Sequence, residues 1–233
     1  MQYLIYIPLA ILPSLIWLIW YLRKDRHPEP KRMIIRVFIW GMLIAFPAIL
    51  IENLAIDGLK LIPLPSLPNM LIVYFVGVAA TEEILKFLVV YFRVIKRTNQ
   101  LDEPVDAMIY MIVAALGFAA IENIFLLAPL IANGFLSTLE VAFSRFIGAT
   151  LLHALASAII GYYLALSMFS PRKKFLPLIY GFTLAILLHG FYNIFVIYME
   201  EYFYFIFAVG LLMISAVVMI SIFFKNLSKI ERT

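Results

Sequence analysis

The sequence contains no cysteine and little charge. Without cysteine there can be no disulfide, no thiolate metal ligand and no cysteine nucleophile, so any bound metal must be held by nitrogen and oxygen atoms. Charged residues make up 14% of the 233 residues, whereas soluble domains contain about 25%. So few charges cannot cover a surface that faces water, and the composition therefore excludes an ordinary soluble globular protein.

Hydrophobic residues make up 65% of the chain. They recur in runs of about eighteen or more, each long enough to cross roughly 30 Å of hydrocarbon as a helix. Backbone polar groups in lipid must be hydrogen-bonded internally, which favours helices. We therefore predict an all-α, polytopic transmembrane helix bundle, a single domain over residues 1–233. Its seven predicted spans are residues 3–22, 34–56, 69–92, 105–128, 138–168, 176–198 and 202–224.

Lysine and arginine are distributed unequally between the predicted loops. Fifteen of the eighteen lie in residues 23–36, 93–97, 172–174 and 225–233, which alternate spans place on one side of the membrane. The positive-inside rule then predicts an outside N-terminus and a cytoplasmic C-terminus. The net charge of +4 reflects this topology and does not indicate nucleic acid binding. Five of these cations are expected to attract anionic lipid headgroups, namely Arg23, Lys24, Arg26, Lys31 and Arg32.

The third predicted span carries three charged residues, Glu82, Glu83 and Lys86, close to its middle. A charged side chain at the bilayer centre costs roughly 2.5–3.5 kcal/mol even on insertion scales, so such residues usually have a function. Lys86 follows Glu82 by four residues and Glu83 by three, which lets it approach either carboxylate on the helix surface. We expect Lys86 to neutralise one acid and to leave the other available for chemistry.

Other polar residues lie near the middle of the next three spans: Glu122, then His153 with Ser157, then His189 with Asn193. All can meet at one depth in the bilayer, and small residues beside them let the helices approach. Each residue alone could serve only to pair helices by a hydrogen bond. Three acids and two imidazoles together favour a functional site. Two further charged residues are expected at the outer membrane edge, Glu52 and Arg145.

These side chains fit a hydrolytic metal site. Catalytic zinc uses about three protein ligands and one open position, and Glu122, His153 and His189 could supply them. The ion would lower the pKa of its water toward about 7, and Glu82 or Glu83 could accept the proton. Asn193 could donate to a developing oxyanion or orient a histidine, as could Ser157. Alternatively, a glutamate activates water without metal, assisted by His189.

The ordered motifs resemble those of the PrsW-type intramembrane metalloproteases, which are related to the CAAX-prenyl and Abi-type membrane proteases. The resemblance covers residues 75–195 and rests on Glu82-Glu83-x-x-Lys86, Phe118-x-x-x-Glu122-Asn123, His153-x-x-x-Ser157, His189-x-x-x-Asn193 and the turn Asp102-Glu103-Pro104-Val105-Asp106. It implies that Glu82, Glu83 and His189 are essential, with Glu122 and His153 beside them. Where CAAX-type relatives have a histidine in the second motif, this chain has Glu122.

The resemblance also implies a biological role. The family is associated with site-1 cleavage of membrane-anchored anti-sigma factors in bacteria, which implies a multi-pass protein of the bacterial plasma membrane and a single-span membrane protein as substrate. The oligomeric state is not determined by the sequence.

Two alternatives belong to other classes of protein. Buried Glu, His and Lys also form proton or ion relays in transporters, although no duplicated halves are visible in this sequence. A non-catalytic membrane scaffold of the same fold is the third interpretation.

Overall fold

A computed structural model describes residues 3–98, 100–169 and 175–230. Nine α-helices are found within this part of the chain, and they lie in the following order. They are α1 (Tyr3–Leu22), α2 (Lys31–Lys60), α3 (Ser66–Leu71), α4 (Thr81–Val90), α5 (Pro104–Leu127), α6 (Phe135–Ile147), α7 (Ala149–Phe169), α8 (Leu176–Glu201) and α9 (Phe205–Ile230).

Helices α3 and α4 belong to one continuous helical stretch. The wider π-helical turns Ile72–Ala80 join them, and Tyr91–Ile95 extend α4 in the same way. A short 3₁₀ turn, Pro129–Asn133, follows α5. Turns of the π type frequently mark functional sites, and this stretch carries the predicted acids.

Six of the seven predicted spans correspond to helices with small shifts of their ends, but the fifth, 138–168, is divided. The division falls at Gly148, whose φ of −102° and ψ of −97° are not helical. A β-carbon there would overlap the hydroxyl of Tyr192, so the chain bends where glycine lets α8 approach closely.

Five helical stretches in the described part of the chain are long and apolar enough to cross a membrane: Lys31–Lys60, Pro104–Ala132, Phe135–Phe169, Leu176–Met199 and Phe205–Lys229. A shorter apolar helix covers Tyr6–Leu22. The protein is thus an all-helical, multi-pass membrane protein. The predicted basic loop 172–174 lies outside the described residues.

Helix α5 forms the centre of the bundle and packs against α1, α2, α4 and α7. Its residues from Val105 to Ile121 are all buried, so neighbours cover it on every side. Close approach to α2 depends on Gly41 and Gly117, where an added β-carbon would overlap backbone atoms of the facing helix. The outer face of α2, in contrast to α5, is exposed. Its apolar residues recur at helical spacing, as expected for contact with lipid, and include Ile35, Ile39, Leu43, Phe46 and Leu50.

The acidic turn before α5 is a helix cap. The Glu103 side chain accepts from the backbone of Asp106, and Asp106 Oδ2 accepts from the backbone nitrogens of Asp102 and Glu103 at 3.1 and 2.6 Å. This reciprocal capping box satisfies the free amide groups at the start of α5. Tyr110, one turn further on, donates to Glu29 at 2.6 Å and ties the cap to the loop before α2.

Candidate active site

Helix α4 places two carboxylates around one ammonium group. Lys86 Nζ lies 3.0 Å from Glu82 Oε2 and 2.8 Å from Glu83 Oε1, and all three residues are buried. The spacing of three and four residues produces this contact because both acids lie one turn before the lysine. The ring centroid of Phe118 on α5 lies 4.4 Å from the ammonium, which is over the face of the ring. Lys86 therefore contacts both acids and not one only.

Glu83 is the acid whose oxygens are fully used. Oε1 receives Lys86 and also lies 3.1 Å from His189 Nδ1, while Oε2 accepts from Ser157 Oγ at 2.7 Å. Its side chain has no exposed surface. Ser157, also fully buried, thus orients Glu83 and is not available to an oxyanion. Glu83 lies behind the site and fixes the groups in front of it.

The contact with Glu83 determines how His189 presents its ring. A carboxylate accepts, so Nδ1 carries the proton and donates to Glu83. Nε2 then has a free lone pair, and it lies 3.9 Å from Glu82 Oε2. A carboxylate behind an imidazole in this way is the arrangement that orients metal-binding histidines and raises their basicity.

His153 on α7 connects the α4 charges to α5. Its Nδ1 lies 2.8 Å from Lys86 Nζ, and because an ammonium only donates, Nδ1 accepts and Nε2 carries the proton. Nε2 lies 2.7 Å from Glu122 Oε2, which also receives Arg145 Nη2 at 2.8 Å. These acids and cations are therefore linked in one chain in which two cations, Lys86 and Arg145, contact three carboxylates.

These groups open into a cavity of about 520 Å³. Glu82, Glu122, His153, His189 and Asn193 line it, whereas Glu83 and Lys86 do not. Apart from these, the wall includes Glu52, Tyr74, Arg145, Tyr192 and Ile197. A substrate in the cavity would thus meet three acids, two imidazoles, one carboxamide and one guanidinium.

The donor atoms suit a divalent metal. Glu82, Glu83, His153 and His189 each offer one ligand atom, and these atoms lie within 4.8 Å of one another. Carboxylate oxygen and imidazole nitrogen are ligands that zinc accepts at about 2.0–2.2 Å. Glu122, which the sequence suggested as a ligand, is not in this group of four but contacts His153 directly. The two histidines could hold a metal together with Glu82 or Glu83.

All the site residues singled out from the sequence converge, and the structure adds two that the sequence placed elsewhere. Arg145 does not extend to the membrane edge but pairs with Glu122 and with Asn123 Oδ1. Glu52 is in the cavity wall, and its Oε1 is buried with no hydrogen-bond partner in the described residues. No periodicity reveals these contacts, because both residues lie near the ends of apolar runs and reach the site only through helix packing.

Asn193 lines the cavity one turn beyond His189, as its spacing predicts. Its side chain makes no hydrogen bond to any other described residue, so its amide protons are available to a ligand.

Comparison with known proteins gives a consistent result. Residues 29–223 match the family described as PrsW family intramembrane metalloprotease. "Protease PrsW" of Geobacillus kaustophilus (strain HTA426) is 33% identical over 196 residues, 84% of this chain and 79% of the relative. The protein of that name from Clostridioides difficile (strain 630) is 31% identical over 227 residues, 96% and 89% of the two chains. The search of solved structures found no match.

Proposed function

The chain belongs to the PrsW family of intramembrane metalloproteases, and from this premise we propose that it hydrolyses a peptide bond of a single-span membrane protein by activating a water molecule in the cavity. One observation carries the proposal: Glu83 holds His189 by Nδ1, so that Nε2 faces Glu82 at 3.9 Å. A water molecule between a carboxylate and an oriented imidazole is placed for general base catalysis.

The proposed metal ligands are Glu122, His153 and His189, all in the cavity wall. A divalent ion, which we propose is zinc, would supply an acidic water and polarise the substrate carbonyl. To bind the ion through Nε2, His153 would have its proton on Nδ1, and Lys86 Nζ would have to release that nitrogen. The second possible set has Glu82 in place of Glu122, and metal analysis distinguishes the two.

The remaining residues act on protons and charge. Glu82 accepts a proton from the water and delivers it to the leaving amine. Asn193 donates a hydrogen bond to the carbonyl oxygen as negative charge develops there. Lys86 is a positioning residue, because it contacts Glu82, Glu83 and His153 from behind the cavity and places one positive charge between the two acids.

The test is cleavage of a single-span substrate by purified protein, with metal analysis of every variant. Glu82→Gln should abolish cleavage and keep the metal, because the amide retains the shape but cannot accept a proton. Glu122→Gln and His189→Ala should lose both. Glu140→Gln is the matched control, since Glu140 is exposed on α6. Loss of metal from Glu82→Gln would indicate that Glu82 is a ligand. Full activity of the metal-free protein would contradict the metal mechanism and favour water activated by a glutamate alone.

The cellular setting extends this proposal. We place the protein in the bacterial plasma membrane with seven spans, the N-terminus outside and the C-terminus in the cytoplasm, and with basic residues such as Arg23 and Lys24 at anionic headgroups. The distribution of cations supports this orientation. The substrate we propose is a membrane-anchored regulator such as an anti-sigma factor. Reporter fusions to the loop between α2 and α3 test the orientation.

The transporter interpretation is not supported by these relatives, which carry the name of a protease. Their name agrees with what the site can do, because the oriented His189 and the acid beside it suit hydrolysis.

A further inference from the structure

A second cavity adjoins the active-site cavity. Its volume is about 580 Å³, and it shares two wall residues, Tyr74 and Ile197, with the first. Both cavities are open and meet at the same two side chains, and we refer to the two together as the depression.

Three helical segments line this depression with residues four apart. Among the wall residues of α8, those four apart are His189, Asn193, Ile197 and Glu201. On α2 they are Glu52, Ile56 and Lys60, and on the stretch from α3 to α4 they are Met70, Tyr74, Val78 and Glu82. Residues four apart lie on one face of a helix, so each segment presents a continuous stripe to the depression.

The stripe on α8 gives the length of the depression. His189 and Glu201 are twelve residues apart, which corresponds to about 18 Å at 1.5 Å per residue. A polypeptide in extended conformation advances about 3.3 Å per residue, so roughly five residues would span this distance.

The chemistry of the wall changes along this length. The inner end carries the catalytic acids and imidazoles, and the middle is apolar, with Ile56, Tyr74 and Ile197. The outer end is polar: Lys60, whose side chain is 69% exposed, lies there with Asn69 and Glu201. A chain bound along this wall would therefore pass from the scissile bond through an apolar passage to water.

We propose that the two cavities form one substrate groove, which binds the extended segment between the scissile bond and the membrane surface at which α2 ends. The proposal rests on the proposed protease function. Cleavage then occurs about five residues inside that surface, and the depth of the bond and not only its sequence selects it. A lipid acyl chain is the competing occupant.

The absence of cysteine from the chain permits a clean cross-linking test. Ile197→Cys and Glu201→Cys are introduced separately into the inactive Glu82→Gln protein, and one cysteine is moved residue by residue along a substrate that the wild type cleaves. Ile197→Cys should form a disulfide with positions about three or four residues from the scissile bond, and Glu201→Cys with positions about five or six away. Val218→Cys on lipid-facing α9 is the control and should form none.

A groove occupied by lipid would give no position-dependent cross-link from Ile197→Cys and Glu201→Cys, and this result overturns the proposal. So would equal cross-linking at every substrate position, or cross-linking to Val218→Cys alone.

Ile197→Trp, which fills the middle of the groove, provides a kinetic test. We expect kcat/KM for the same substrate to fall at least tenfold, mainly through KM, while the matched Val218→Trp leaves it unchanged. Wild-type protein that cleaves nothing contradicts the proposed function. Wild type and Ile197→Trp that cleave equally well contradict the groove alone.

Discussion

Two clusters of acids lie at different levels of the molecule and have different partners. In the site, Glu82, Glu83 and Glu122 each contact a cationic side chain, Lys86 or Arg145. Before α5, Asp106 accepts from backbone amides, Glu29 accepts from Tyr110, and Glu103 lies 2.7 Å from the imidazole Nδ1 of His27. The difference follows from solvent, because an unpaired charge is far more costly in the interior than beside water. The three site acids that contact one another's partners thus have cations beside them, whereas acids at the helix end can serve as caps.

The largest expected effect is the removal of the cation inside the bundle. Lys86→Met should lower the free energy of unfolding by about 3–5 kcal/mol, because it leaves buried carboxylates without compensation. Thermal unfolding in detergent measures this change, with Lys225→Met, at an exposed position of α9, as the control. Equal stability of the two variants would mean that the inner acids do not need their cation.

Glu83→Gln should lower kcat by about 10–100-fold, with KM little changed, because it weakens the group that orients His189. The amide oxygen still accepts from Nδ1, so the loss is expected to be smaller than for Glu82→Gln. Steady-state kinetics with a substrate that the wild type cleaves give kcat and KM separately and test this prediction. A change confined to KM would instead place Glu83 in substrate binding.

Asp106→Ala should lower the free energy of unfolding by about 1 kcal/mol, the usual effect of losing a helix cap. Cleavage by the folded variant should equal that of the wild type, since Asp106 belongs to the cap and not to the cavity. Kinetics measured below the unfolding temperature test this. A large loss of activity would show that the cap affects the active site, and the two clusters of acids would then not have separate roles.

The smallest effect concerns pH. Burial raises the pKa of Asp25, with a contribution from Glu103, and burial also raises the pKa of Glu29 beside Asp102 and Asp25. Because the pKa is raised in the folded state, the contribution of each acid to the free energy of unfolding is fully present below its ordinary pKa of about 4. This contribution is lost as pH rises through the raised pKa. The unfolding temperature should therefore fall over this range. Asp25→Asn combined with Glu29→Gln should flatten the fall, and equal slopes would contradict the assignment.

Much of the fold could be predicted because lipid permits few choices. Apolar length and internal hydrogen bonding require helices, and their ends follow from where apolar runs stop, as at Tyr3–Leu22 and Pro104–Leu127. The division at Gly148 was missed, because local apolarity does not reveal it and the Tyr192 hydroxyl that lies against this position comes from another helix.

The sequence by itself determined most of the residues that meet at the cavity, because charges and imidazoles are too costly in lipid to be there without partners. Only the tertiary structure decided which of these residues line the cavity and which lie behind it. Glu82 and Glu83 are neighbours, and helix geometry turns consecutive side chains about 100° apart, so packing alone directs Glu82 into the cavity and Glu83 toward His189 and Ser157. Packing of α2 and α6 likewise brings Glu52 and Arg145 to the cavity, since contacts between distant segments leave no pattern along the chain.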